Sequence, residues 1–214
     1  PHLTSSKKVI ILGSGPYRIG SSVEFDWCSV IAAQTASNNK IAPIVINCNP
    51  ETVSTDYDMA KRLYFEEITQ ETVYEIYKKE NPLGVIVSMG GQRPNNLTPE
   101  LTRLGVKILG TSSKSIDNAE DRNKFSALCD KLGINQPPWA MLQNVEDACK
   151  FAQKIGFPVL VRPSYVLSGA AMNVAGNVQD LKQYLAQAAN VSENYPVVIS
   201  KFIENTRSTI KFLL

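Results

Sequence analysis

Two arginines stand out for their settings in this 214-residue chain. Arg162 directly follows the apolar run Val159-Leu160-Val161, and Arg122 follows Glu120-Asp121 in a stretch with helical patterning. A guanidinium at the end of a buried strand needs an anionic partner, because unpaired burial of a charge is costly. Its forked donors suit a protein carboxylate and a ligand phosphate equally, so both partners stay open. Behind Arg162 runs Pro163-Ser164-Tyr165-Val166-Leu167-Ser168-Gly169-Ala170-Ala171-Met172. Small residues of this kind let a backbone approach a phosphate chain closely and act as a flexible cover. A simple hairpin loop is the competing reading.

Two polar segments lie nearer the start. The turn Gly13-Ser14-Gly15-Pro16-Tyr17-Arg18-Ile19-Gly20 follows an apolar run, a setting in which backbone amides at a helix start attract phosphate. The third glycine of a dinucleotide fingerprint would fall at Arg18, and no acidic residue directly follows the second strand. An NAD-binding oxidoreductase is therefore one alternative, and a tight turn that lets helix pack on strand is the other. The stretch Asn47-Cys48-Asn49-Pro50-Glu51-Thr52-Val53-Ser54-Thr55-Asp56-Tyr57-Asp58 concentrates hydrogen-bonding side chains beyond a strand end. Ligands bind at that edge of open parallel sheets, although surface turns are also rich in Asn and Asp.

Several chemistries are disfavoured. The single histidine is His2, which argues against a Ser-His-Asp triad and a His-based zinc site. Cys28, Cys48, Cys129 and Cys149 show no CxxC spacing and read as free thiols of a reducing compartment. The net charge is only +2 with cations scattered, so neither nucleic acid nor a membrane surface is an expected partner. The longest apolar runs are far too short to span a bilayer. The opening Pro1-His2-Leu3-Thr4 lacks a signal core and is expected to lie inside a longer product.

The elements that must position these residues alternate between apolar runs and helical stretches, the pattern of an α/β protein with a doubly wound parallel sheet. Val9–Leu12 and Ile44–Ile46 read as buried strands, with further strands at 84–89 and 106–109. Between the first two, a helix is expected to bury Val23, Trp27, Val30 and Ile31. Thr69, Asn144 and Asn177 sit where side chains cap helix starts. A second unit is expected to open with one helix over Ala119–Leu132, closed by Gly133. Gln136-Pro137-Pro138 then reads as a rigid spacer, and strands follow at Val159–Val161 and Val197–Lys201.

At these residues the chain resembles the carbamoyl-phosphate synthase synthetase component. The likeness is carried by Gly15-Pro16-Tyr17-Arg18-Ile19-Gly20, Glu24-Phe25-Asp26, the 47–58 stretch, Arg62-Leu63-Tyr64-Phe65-Glu66, Met89-Gly90-Gly91-Gln92, Ala119-Glu120-Asp121-Arg122 and Val161-Arg162-Pro163-Ser164-Tyr165-Val166-Leu167. It covers about Val9 to Asn205. The wording at 49–56 and 62–66 looks like the second synthetase half, which phosphorylates carbamate. Ser168-Gly169-Ala170-Ala171-Met172 looks like the eukaryotic multifunctional pyrimidine-pathway type, with the arginine and urea-cycle type close.

The resemblance implies a pre-ATP-grasp domain over 1–117 and the N-terminal part of an ATP-grasp domain over 118–214. It implies an ATP-dependent ligase in which Arg122 and Arg162 contact nucleotide phosphates. Ser168, Gly169 and Met172 would belong to the covering loop, and Ser200, Lys201, Phe202 and Ile203 to the adenine-side strand. Expected cofactors are ATP and Mg2+, with the metal ligands beyond the chain end and none within it. No residue of the chain is expected to be catalytic in the covalent sense. Expected substrates are ATP, carbamate or bicarbonate, and ammonia; expected partners are the rest of the synthetase and a glutaminase domain or subunit. The location would be cytoplasmic, or mitochondrial for the urea-cycle type. The family places a glutamate at position 208, where this chain has Ser208, and the chain alone is expected to be inactive. A non-catalytic pre-ATP-grasp module packing on a synthetase or glutaminase partner is the alternative.

Overall fold

The computed structural model describes residues 7–17, 23–163, 172–191 and 197–204. The chain divides after Ile116 into two compact units. No helix among the described residues is long and apolar enough to cross a membrane.

The first unit is a parallel sheet ordered β3-β2-β1-β4-β5. Its centre is β1 (Lys8–Leu12) paired with β2 (Ala42–Asn47) from Lys8↔Ala42 to Leu12↔Ile46. A strand's side chains alternate between faces. Here Ile10 and Leu12 join Val73, Ile76 and Leu101 in one core, while Val9 and Ile11 join Ala33 and Ala36 in another. The first core is covered by α2 (Gln70–Glu80) and α3 (Gln92–Arg103), the second by α1 (Val23–Asn38). Thr69 caps α2 as expected, its hydroxyl accepting from Thr72 N–H.

The buried face of α1 differs from the one expected. It consists of Asp26, Ser29, Val30, Ala33 and Ala36, whose small side chains bring the helix close to the sheet. Trp27, at 66% exposure, and Ile31 instead border an apolar groove of about 590 Å3 with Leu83, Ile86 and Met89. Apolar periodicity located the helix but not the side turned inward.

The strands expected at 84–89 and 106–109 shrink to β4 (Val85–Ile86) and β5 (Ile108–Leu109). One cause is crowding after β4: a Cβ on Gly90 would lie 2.2 Å from the Gly13 carbonyl oxygen, so the chain turns there in contact with the β1 turn. The edge strand β3 (Arg62–Phe65) was not expected. A buried carboxylate ties it to α2: Glu80, 2% exposed, accepts from Arg62, from Tyr64 Oη–H at 2.5 Å and from Lys8 Nζ–H at 3.3 Å.

In the second unit, the helix expected over 119–132 is interrupted. A helix α4 (Ser113–Glu120) ends, and Asp121 caps α5 (Arg122–Lys131) by accepting from the N–H groups of Asn123 at 2.9 Å and Lys124 at 3.0 Å. Asp competes for backbone donors in this way and so favours a new helix start over continuation. An antiparallel sheet follows, ordered β6-β9-β7-β8, with β6 (Trp139–Leu142), β7 (Val159–Pro163), β8 (Asn173–Ala175) and β9 (Val197–Lys201). Helices α6 (Val145–Ile155) and α7 (Val178–Val191) cover one face. Ala148, Ala152 and Leu181 there meet Val159, Val161 and Ile199. The Asn144 and Asn177 side chains accept from Asp147 N–H and Asp180 N–H, as expected of caps.

Candidate nucleotide site

Alternation in β7 explains the position of Arg162. With Val159 and Val161 turned to the helices, Leu160 and Arg162 take the opposite face. Register places Ser200 of β9 between Leu160 on one side and Trp139 of β6 on the other. A row of side chains thus crosses the face of the second sheet opposite α6 and α7, and over it lies a cavity of about 310 Å3.

Arg162, Ser200, Lys201, Phe202 and Ile203, all expected from sequence, line this cavity. Arg162 is short of acceptors. Its Nη2 reaches Ser200 Oγ only at 3.4 Å, and its buried Nε has no hydrogen-bond partner. Burial first, and then the like charge of Arg122, hold the guanidinium below its ordinary pKa. The two arginines expected from sequence therefore share one electrostatic environment, and no ion pair of Arg162 with a carboxylate occurs among the described residues. Arg122 is the first residue of α5, at the positive end of the helix dipole, where a cation is disfavoured by about 0.3–1 kcal/mol. A guanidinium short of acceptors at its buried Nε, under the like charge of Arg122, is an arrangement that an anion would stabilise.

Lys201 lines the cavity but turns its charge elsewhere. Its ammonium donates to the backbone carbonyls of Gly156 at 3.0 Å and Phe157 at 2.8 Å, so its charge is engaged within the protein. Met172 is 39% exposed, next to β8, and is not among the cavity-lining residues. Ser168 and Gly169 lie outside the described residues, as does Ser208.

Sequence reasoning passed over Phe125 and Ser126 of α5 and Gln136 and Trp139, which also line the cavity. The 136–138 spacer reading hid them. A tryptophan directly after two prolines was the available signal, since it marks an aromatic side chain at the start of a pre-extended segment.

The polar stretch 47–58 is largely turned on itself. Asn47, 1% exposed, accepts from Gly15 N–H and Cys48 N–H at 3.0 Å each and donates to Thr52 Oγ1 and Ser54 Oγ. A Cβ on Gly13 would lie 2.4 Å from Asn47 Cγ, so this asparagine fills the underside of the glycine turn. Asp26 accepts from Val53 N–H and Ser54 N–H and fixes the same loop to α1. Asn49 Nδ2 is buried without an acceptor. All four cysteines are free.

A family model described as the carbamoyl phosphate synthase preATP-grasp domain matches residues 5–118, and one for the carbamoyl-phosphate synthase L chain, ATP binding domain, matches 121–210. Multifunctional protein URA2 of Saccharomyces cerevisiae is 59% identical over 93% of this chain and 9% of its own length. The mitochondrial carbamoyl phosphate synthase arginine-specific large chain of Schizosaccharomyces pombe is 54% identical over 92% of this chain and 17% of its own. The chain thus spans about a tenth to a sixth of the length of these relatives. Among solved structures, the biotin carboxylase domain of Hydrogenobacter thermophilus 2-oxoglutarate carboxylase, in complex with MgADP, ADP and bicarbonate, matches with a TM-score of 0.70. It shares 19% identity, covers 92% of this chain and 44% of that one, and shows a common fold. With consecutive domain models of one enzyme matched in order along both units, and relatives more than half identical, the chain belongs to the carbamoyl-phosphate synthase large-chain family.

Proposed function

We propose that this chain contributes to the half of a glutamine-dependent carbamoyl-phosphate synthase that phosphorylates carbamate, and that the second-unit cavity receives ATP. One observation carries the reading: Arg162 has a buried Nε without a partner while Arg122 adds positive charge beside it. Phosphate oxygens would supply the missing acceptors, and arginine's planar fork suits them. The base would lie toward Ser200, Phe202 and Ile203, with the covering segment 168–172 over the phosphates. In phosphoryl transfer the protein's contribution is positioning and charge stabilisation, and two guanidinium groups fit that role.

Carbamate or bicarbonate and ammonia are the further substrates under this reading, and the rest of the synthetase with a glutaminase domain or subunit are the partners. Membership of the pyrimidine-pathway type, with a cytoplasmic location, is proposed from the family wording at 168–172; the arginine and urea type would be mitochondrial. A magnesium ion accompanies ATP in such chemistry. Among the described residues, however, no group of three His, Cys, Asp or Glu side chains converges, and no carboxylate lines the cavity. The described residues do not fit that ion.

Calorimetric titration of the purified chain with ATP tests the proposal. Replacing Arg162 by Ala removes charge-assisted hydrogen bonds, which contribute about 1.5–3 kcal/mol, so ATP should bind roughly 10- to 150-fold more weakly. Arg162→Lys should recover part of the loss, because it restores the charge and not the fork. Absence of ATP binding in the wild-type chain, or equal affinity in Arg162→Ala, overturns the assignment.

A further inference from the structure

One wall of the cavity has a fixed hydrogen-bonding polarity. Gln136 Nε2 donates to Ser126 O at 2.7 Å and to Asp130 Oδ1 at 2.6 Å. Both partners are pure acceptors, so they settle which end of the amide is nitrogen and engage both of its hydrogens. Asp130 is held in turn: its second oxygen accepts from Trp139 Nε1–H at 3.1 Å. Three successive segments (α5, the 136–138 linker and the start of β6) are thereby locked into one unit. Gln136, Trp139 and Ser126 all border the cavity that holds Arg162. With its nitrogen engaged on the wall, the polar atom that Gln136 has left for a ligand is its carbonyl oxygen, which can only accept.

We infer that Gln136 Oε1, oriented by Ser126 and Asp130, reads the base of the bound nucleotide and selects a purine carrying a 6-amino group. The inference rests on the nucleotide reading above and adds the residue that sets base preference. An exocyclic amine offers N–H to the amide oxygen. A 6-oxo purine sets oxygen against oxygen, and rotating the amide to accommodate it would abandon the bonds to Ser126 and Asp130. Trp139 and Phe125 supply apolar walls for the ring, and Asp130 is a positioning residue that acts through Gln136.

Titration calorimetry with ADP and with inosine diphosphate, which differ at the 6-position, separates the possibilities. The wild-type chain should favour ADP by roughly tenfold or more, the value of about one hydrogen bond and its mismatch. Gln136→Leu should bring the ratio close to one by weakening ADP, with inosine diphosphate changed less than about threefold, since the arginines are untouched. Asp130→Asn, which places an N–H among donors and frees the amide to rotate, should lower the ratio as well, and serves if Gln136→Leu fails to fold by circular dichroism. A wild-type chain that binds both nucleotides equally, or folded variants that keep the wild-type ratio, overturns the role of Gln136 alone. A wild-type chain that binds neither overturns the nucleotide reading beneath it.

Discussion

Glu80 offers a sharp test of how the first unit is held together. Its carboxylate is 2% exposed and accepts from three side chains, two of them cationic, that come from β1 and β3. Burial pushes its pKa up, but the hydrogen bonds from Tyr64, Arg62 and Lys8 outweigh it and hold the group below the usual carboxylate range. Glu80→Gln keeps the shape, removes the charge and sets an N–H against three donors. Breaking a buried pair by neutralising one partner costs about 3–5 kcal/mol. Lys8 and Arg62 side chains are about a fifth exposed and regain some hydration, so the expected loss is nearer 2–3 kcal/mol. Peptide-resolved hydrogen exchange reads this directly: β1 and β2 amides that open globally should exchange roughly 30- to 150-fold faster. Amides of β7 and β9, in the other unit, serve as an internal reference. The pH dependence has a defined sign. A carboxylate whose folded pKa is lowered stabilises fully above its unfolded value of about 4.3 and loses that stabilisation as pH falls through the folded value. The gap between wild type and Glu80→Gln should therefore be constant from neutral pH to about 5 and narrow below about 4. A variant with unchanged exchange at neutral pH, or a gap that widens on acidification, would refute the account of Glu80 as a three-way clamp.

Two further substitutions test packing and site assignment. Gly90→Ala would drive a methyl to 2.2 Å from the Gly13 carbonyl oxygen; backbone cannot yield as a side chain does, so the first unit should lose at least about 2–3 kcal/mol in urea unfolding, and a neutral result would mean that the two turns separate easily. Lys201→Met should destabilise the second unit by about 1–3 kcal/mol through loss of the bonds to Gly156 and Phe157, yet change ATP affinity less than about threefold. A loss of ATP binding as large as that expected for Arg162→Ala would mean that the ammonium leaves those carbonyls for phosphate.

Local signals were read well from sequence. Thr69, Asn144 and Asn177 announced helix starts because a cap involves residues only three apart, and β1 and β2 announced themselves because strands buried on both faces are apolar throughout. Trp27 and Ile31 depart from the expected buried face because bulk alone does not mark burial, whereas Ser29, Ala33 and Ala36 allow the closer approach to the sheet. The strands β3, β6 and β8 were missed because each is three or four residues long and defined by a neighbour rather than by its own pattern. Arg122 and Arg162 were picked out by their settings and by family likeness, and the alternation in β7 supplies the reason that Arg162 faces away from the helices. The orientation of Gln136 was beyond sequence reading, since it depends on a carbonyl ten residues earlier and on a carboxylate also held by Trp139.

The single-residue break at Asp121 reaches beyond local geometry. Had the helix run on from Ser113 to Lys131, the amides near Arg122 would have been consumed by the carbonyls of the preceding turn, and that arginine would have projected from the flank of a long rod. Restarting the spiral at Arg122 releases the new first turn from main-chain carbonyls, and the Asp121 side chain itself takes the amides of Asn123 and Lys124. A short acidic side chain, which never needs to touch a ligand, thereby decides where along this part of the chain a new helix begins and Arg122 becomes its first residue.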